Sequence, residues 1–360
     1  MRMAAMGTTT VLAALVVLFV AACGSPGGSG GTGGGGGSSA LNGAGGTFPA
    51  PLYAKWADEY NKASGVQVNY NAVGSGAGIQ AIEGRTVDFG ASDAPLSAQE
   101  LQENGLIQFP LTMGGVVMAV NIDGVADGQL RLDGPTIAKI YLGDIKTWDD
   151  PAIKALNPGL SLPSTAITVV HRSDSSGTSF IFTSYLSDVS PQWKSAYGAS
   201  KEVNWPVGVG AKGNPGVAVA IQQTKGAIGY VEYAYAKQNN MPTAVLRNRD
   251  GQWVTPSLAS FGDAAAKAAW TVADGFGTVL VNQPGVKTWP ITGATFILLA
   301  KDQQDTDKAR AMLQFFDWCL KNGQATAQSL DYVPIPQNVV PLIEDQWRKD
   351  VTVSGTAVWP

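Results

Sequence analysis

The amino-acid sequence predicts an α/β fold, in which buried strands alternate with amphipathic helices. Three observations carry that prediction. Segments with apolar residues at helical spacing, such as Leu52, Tyr53, Trp56 and Tyr60, recur along the chain between short apolar or β-branched runs. One such run, Leu111 to Val120, is apolar around two glycines and reads as a strand buried in a parallel or mixed sheet. The chain has 360 residues, enough for about two domains and a large core. Periodicity alone does not say whether the two ends of the chain share a domain, and no internal repeat of fixed period is visible.

From Ala40 onward the elements follow in order. A helix is predicted from Pro49 or Ala50, with Gly65 as its stop. Residues 66–73 read as a strand, 74–78 as a Gly-rich turn, and a short helix follows through Ile79 and Ile82. Residues 87–95 are a short strand ending in a polar loop. After the apolar run, 135–142 look helical, and Asp150 with Pro151 has the pattern of an N-cap and first helical residue. Ile167–Val170 is a strand, Ser176–Leu186 a loop feeding a helix, and Gly216–Gln223 a helix. Residues 227–236 read as strand and turn, and 289–300 as another apolar strand. Thr306 is the expected cap of a helix carrying the stripe Met312, Phe315, Phe316, Cys319, Leu320.

Composition removes several function classes. Lys plus Arg is 24 and Asp plus Glu is 28, a net charge of −4, which argues against a broad nucleic-acid surface. One histidine, His171, cannot build a His-rich metal site, and two cysteines, Cys23 and Cys319, cannot build a zinc cluster alone. No metal and no cofactor are expected. Residues 1–22 place Arg2 ahead of an apolar run from Val11 to Ala22, the layout of an export signal and short for a membrane span, which needs about 20 apolar residues. Val20-Ala21-Ala22-Cys23 resembles a lipoprotein signal box, in which the Cys becomes the lipidated N-terminus; a plain secretory cut near Ala22 is the alternative. Ten of the sixteen residues 24–39 are Gly and four are Ser. Such a segment cannot offset the entropy of ordering and reads as a tether spanning roughly 20–25 Å. Cys319 falls on an apolar helical stripe and is expected to be a buried core residue.

Three places put Ser, Thr or Gly at a predicted helix start: Gly46-Thr47-Phe48-Pro49, Gly74-Ser75-Gly76-Ala77-Gly78 and Ser175-Ser176-Gly177-Thr178-Ser179. A helix N-terminus offers unpaired N–H groups and the positive end of the dipole, and hydroxyls add donors. Around one cavity, three such turns would cage an anion. Each is equally consistent with plain capping or a simple turn, and none matches the Walker or dinucleotide-binding pattern. Arg172 supplies a charged donor fork suited to phosphate, and Asp174 could hold it. Asp93 is a carboxylate, out of place beside an anion unless that anion carries a proton.

At these motifs the chain resembles the periplasmic or lipid-anchored phosphate-binding proteins of the bacterial high-affinity phosphate ABC transporter, the PstS family. The resemblance runs from Leu41 to the C-terminal region and is dense in residues 43–60, 87–97, 140–159, 175–186 and 226–240. It implies a two-lobed periplasmic-binding-protein-like (type II) clamshell with mixed sheets and two crossing segments. Lobe one would be 40–113 plus 286–360, lobe two 114–285, after a signal peptide (1–22) and a lipidated Cys with its tether (23–39). It implies phosphate ligands at Thr47, Phe48 through its N–H, Ser75, Asp93 as acceptor of the phosphate proton, Arg172, Ser176, Gly177 and Thr178, with Asp174 orienting Arg172. Gly46, Ala77 and Ser175 depart from the family pattern and are expected to tune the backbone only. The expected partners are inorganic phosphate and the permease subunits of an ABC importer, with membrane attachment through Cys23, no nucleic acid and a monomeric state. Sulfate or molybdate binding, a phosphomonoesterase using His171, and a surface structural role are the competing classes. Asp93 speaks against the first, the missing second base and paired metal ligands against the second, and the donor turns against the third.

Overall fold

The computed structural model describes residues 40–360; the expected signal peptide, Cys23 and the tether lie outside the described residues. One mixed sheet organises the chain. Its strands are β1 (Leu41–Gly45), β2 (Val68–Ala72), β3 (Phe89–Ser92), β4 (Leu106–Asn121), β5 (Thr168–Arg172), β6 (Val209–Ala211), β7 (Ala227–Glu232), β8 (Thr292–Ala300) and β9 (Val333–Pro334). Their order is β2-β1-β3-β8-β4-β7-β5-β6, with β9 also on β4. Parallel pairs lie on either side of the middle, β2-β1-β3 and β7-β5-β6. β4 is antiparallel to both β8 and β7.

β4 joins the two halves. It is longer than the predicted Leu111–Val120, and all of it except Asn121 is buried. Leu106 to Gly115 pairs with β8, and Val116 to Asn121 pairs with β7, so the strand changes partner between Gly115 and Val116. The ladder with β8 slips between Thr295 and Phe296, opposite Thr112 and Pro110. Pro110 has no N–H for a ladder, and the irregularity falls beside it.

The helices bury the predicted faces. α1 (Ala50–Ser64) covers the sheet with Leu52, Tyr53, Trp56 and Tyr60 and ends at Gly65 in the left-handed conformation. The Trp56 indole N–H donates to Gly323 O at 2.8 Å, tying α1 to the C-terminal region. α2 (Ser75–Glu83) and α3 (Gly177–Val189) begin at predicted turns, and α4 (Gly213–Gln223) follows β6. α5 (Thr306–Lys321) buries Met312, Phe315, Phe316, Cys319 and Leu320, and Cys319 is a free thiol in that core.

Three local expectations are corrected. Asp305, not Thr306, caps α5, because its carboxylate accepts from both Asp307 and Lys308 N–H and puts negative charge at the dipole's positive end. The segment after β7 is a helix, Tyr233–Gln238, rather than a turn, because the Glu232 carboxyl accepts from Ala234 N–H and starts it. α4 begins at Gly213 rather than Gly216; Pro215 falls in its first turn, where a missing N–H costs nothing. No helix among the described residues is long and apolar enough to cross a membrane.

α2 lies against bare backbone. A Cβ on Gly78 would stand 2.4 Å from Gly45 Cα, 2.7 Å from Ala44 O and 3.0 Å from Ala91 O. Backbone on three sides cannot yield as a side-chain tip can, so Gly78→Ala is expected to destabilise the fold by about 1–3 kcal/mol. Urea denaturation of the protein without added ligand measures this. An unchanged midpoint would mean that α2 does not sit this close to β1 and β3.

Candidate functional site

The sequence-predicted residues all lie where a strand hands over to a helix. Thr47 and Phe48 link β1 to α1, Ser75 is the first residue of α2, and Asp93 follows β3. Arg172 ends β5, Ser176 caps α3, and Gly177 and Thr178 are its first two residues. In sheets of this kind the carboxyl ends of parallel strands and the helix starts beyond them form the binding crevice.

The structure brings these residues together from both halves of the sheet. Gly177 N–H donates to Ser75 Oγ at 3.1 Å, and Gly76 N–H donates to Ser175 O at 3.1 Å. Ser75 Oγ also accepts from Asp93 N–H at 3.3 Å and lies 3.5 Å from Asp93 Oδ2. A Cβ on Gly177 would lie 2.6 Å from both Asp93 Cβ and Ser75 Oγ, so no larger residue allows this approach. Arg172 is held in a two-pronged pair with Asp174, Nε to Oδ1 at 2.7 Å and Nη2 to Oδ2 at 2.5 Å. Its remaining nitrogen, Nη1, reaches Thr178 Oγ1 at 3.4 Å. Ser176 Oγ caps α3 by accepting from Ser179 N–H at 3.1 Å. Thr47 caps nothing, and the capping alternative falls at that position. The N–H groups of Phe48 and Thr178 have no hydrogen-bond partner among the described residues.

Burial shapes the electrostatics. Thr47, Phe48, Ser75, Asp93, Arg172, Ser176 and Thr178 are all buried. Asp93 is raised to about 7 by burial, against the pull of Thr295, Arg172 and Ser75. Its Oδ1 and the Thr295 hydroxyl are both buried without a hydrogen-bond partner. Burial also acts to raise Asp174, but the Arg172 guanidinium and Gly213 N–H outweigh it and hold the carboxyl below its ordinary value. Asp174 thus stays ionised and cancels most of the Arg172 charge. What remains to attract an anion is the set of N–H groups, hydroxyls and helix dipoles. His171 is half-buried, its ring stacked on Trp205 with centroids 5.0 Å apart, and Nδ1 meets Arg172 O at 3.1 Å. The two rings share with Arg172 and Asp174 a cleft of about 720 Å³ at the surface. No group of His, Cys, Asp and Glu among the described residues is arranged to hold a metal ion.

Sequence reasoning missed Asn214 and Glu232. Asn214, buried at the start of α4, donates from Nδ2 to Thr47 Oγ1 at 2.9 Å and to Thr178 Oγ1 at 3.1 Å. The available signal was a fourth Gly-containing helix start, Lys212-Gly213-Asn214-Pro215, hidden by placing that start at Gly216. Glu232 is fully buried at the end of β7 and pushed up to about 8 by burial, against Ala234 N–H and the Tyr332 hydroxyl. The Tyr332 hydroxyl lies 2.8 Å from Glu232 Oε2 and 2.7 Å from Phe48 O. Nothing in the local sequence marks that carboxyl as buried, because the Tyr332 hydroxyl that meets it comes from 100 residues away.

A family model described as a PBP superfamily domain matches residues 30–322. The phosphate-binding protein PstS of Pasteurella multocida is 50% identical over 320 residues, 89% of this chain and 93% of its own length. The PstS of Methanocaldococcus jannaschii is 34% identical over 82% of each chain. Among solved structures, a high affinity periplasmic phosphate-binding protein (PfluDING) bound with phosphate superposes with a TM-score of 0.71 at 22% identity, covering 88% of this chain and 96% of its own. The phosphate binding protein of Stenotrophomonas maltophilia gives 0.66 at 19% identity, over 88% and 96%. At those identities the structures speak to the fold: a mixed α/β architecture of the periplasmic-binding-protein kind.

The raised carboxyls predict a pH dependence. Asp93 moves from 3.8 to about 7 on folding, and Glu232 from 4.5 to about 8. Between each pair of values the folded chain holds more protons than the unfolded one, so stability falls as pH rises. His171, lowered by burial, works the other way below its ordinary 6.5, one group against two. The protein without added ligand is expected to be more stable near about pH 5 than near about pH 8, with a shallower slope in Asp93→Asn. Denaturant titration across that range measures it; stability rising with pH would contradict the burial of both carboxyls.

Proposed function

This chain belongs to the PstS family of phosphate-binding proteins, and we propose that it captures inorganic phosphate outside the cytoplasmic membrane and delivers it to an ABC-type importer. One observation carries the reading: the N–H groups of Phe48 and Thr178 and the hydroxyl hydrogens of Thr47 and Thr178, drawn from both halves of the sheet, are unspent, and Asp93, beside Ser75 and Gly177 at the same helix starts, keeps a buried carboxyl oxygen, Oδ1, without a partner. Phosphate near neutral pH has oxygens for the donors and a proton for the acceptor. The proposed ligands are Thr47, Phe48, Ser75, Asp93, Arg172, Ser176, Gly177 and Thr178, with Asp174 orienting Arg172. The PstS relatives are named for binding, not for a reaction, and this reading contains no chemical step.

We propose lobes of 40–113 plus 286–360 and of 114–285, closing on the ion as a hinge. The change of partner along β4 at Gly115–Val116 supports a boundary within two residues of the first crossing. Thr47, Ser75 and Asp93 then belong to one lobe and Arg172 to Thr178 to the other, so the full set of donors exists only in the closed form. Phosphate supplies the differential affinity that closure needs.

Selectivity over sulfate rests on Asp93. The donors suit either ion; the carboxylate suits only the one with a proton. Below about pH 7 Asp93 carries its own proton and can donate to sulfate, so discrimination is expected to weaken as pH falls. Isothermal titration with both ions tests the reading. Arg172→Ala is expected to cost phosphate about 2–5 kcal/mol. Asp93→Asn is expected to lower the phosphate-to-sulfate affinity ratio at least about tenfold, measured above about pH 7. A wild type with no phosphate affinity would overturn the function, and an unchanged ratio would move selectivity to cavity size.

The lipid on Cys23 rests on the export-like segment, the small residues ahead of Cys23 and the Gly/Ser tether behind it. Wild-type protein is expected in the membrane fraction with a lipid mass on Cys23, and Cys23→Ala outside it. Membrane-bound Cys23→Ala, with no lipid mass on the wild type, would favour a soluble secreted protein.

A further inference from the structure

We propose that Asn214 is a positioning residue that sets the direction of two hydroxyl groups, turning Thr47 and Thr178 into donors toward a bound anion. The inference rests on the phosphate-binding reading above and adds a residue to it.

The argument is a count of hydrogens. The Asn214 amide has a fixed sense. Its Oδ1 accepts from Glu232 N–H at 3.0 Å, and a backbone N–H can only donate. Flipping the amide would set donor against donor, so Nδ2 and its two hydrogens must face the other way. One hydrogen goes to Thr47 Oγ1 at 2.9 Å, the other to Thr178 Oγ1 at 3.1 Å. The Asn214 backbone N–H also donates to Thr47 Oγ1, at 3.0 Å. Thr178 Oγ1 takes its second donor from Arg172 Nη1 at 3.4 Å, and guanidinium has no acceptor to offer.

A hydroxyl has two lone pairs and one hydrogen. At both threonines the lone pairs are claimed by groups that cannot reverse their role. What each has left is its hydrogen, and neither hydroxyl donates to any atom among the described residues. Both side chains are buried, so water does not easily take that bond. Two oriented, unspent O–H groups favour a ligand with acceptor oxygens and penalise one that presents a donor at the same points. Thr47 lies ahead of α1, Thr178 at the start of α3 and Asn214 at the start of α4, so the amide also couples residues from opposite halves of the sheet.

The test is a double-mutant cycle read by phosphate titration, using wild type, Asn214→Leu, the pair Thr47→Val with Thr178→Val, and the triple variant. Asn214→Leu removes the side-chain donors without adding charge. It is expected to weaken phosphate at least about tenfold in the wild-type background and less than about twofold once both hydroxyls are gone. A purely structural role would cost the same in both backgrounds. Melting of the phosphate-free variants monitors folding, and Asn214→Ala carries the same cycle if Asn214→Leu does not fold. A loss of equal size in both backgrounds, or wild-type affinity in Asn214→Leu, overturns the inference and leaves the function standing. A wild type that binds no phosphate overturns the function and this inference together.

Discussion

Four helix starts face one small volume, and a buried carboxylate stands among them. α2, α3 and α4 and the entry to α1 each bring the positive end of a dipole to the same place, and the N–H groups of Phe48 and Thr178 stay unpaired there among the described residues. Like ends should repel. Asp93 and Asp174 are the negative groups placed there to offset this, and they do it differently. Asp174 is spent on Arg172 and on Gly213 N–H, the start of α4. Asp93 accepts little, keeps Oδ1 free, and sits where burial holds its proton near neutral pH. The polarity of the site follows from that division.

Arg172 illustrates the result. A lone guanidinium would attract any anion over long range and pay heavily for burial. Paired by two nitrogens to Asp174, it becomes a rigid, nearly neutral donor aimed by its partner. On the phosphate-binding reading proposed above, recognition depends on the direction of hydrogen bonds more than on net charge, which suits a chain whose overall charge is −4. On that reading, the donors hold such an ion, and the Asp93 carboxylate is the directional acceptor that separates ions differing by one proton.

β4 lets one sheet serve two halves. Its antiparallel pairing on both sides, to β8 and then β7, leaves the parallel strands of each half free to point their carboxyl ends at the same crevice. Glu232 pairs with Val116 at the point where the strand changes partner, and its neighbours Asn214 and Tyr332 lead directly to Thr47 and Phe48. The crossing and the site are therefore linked by single hydrogen bonds.

The local features were legible in the sequence because they are made by near neighbours. Leu52, Tyr53, Trp56 and Tyr60 declare their helix by spacing, Asp150 with Pro151 declares a cap, and Ser176 caps the helix it precedes. The Arg172–Asp174 pair is two residues apart and could be read directly. Resemblance added which turns belong together, something spacing could not say. What the sequence alone did not contain was any bond made across the fold. Thr47 looked like a cap and instead accepts from Asn214, 167 residues away. Glu232 looked like an ordinary strand residue, and burial against Tyr332, 100 residues away, makes it a weak acid. Hydrophobic period and capping chemistry act within a turn or two of chain, so they are written locally. The sense of a buried hydroxyl and the proton on a buried carboxyl depend on which donors surround them, and only the tertiary structure decides that.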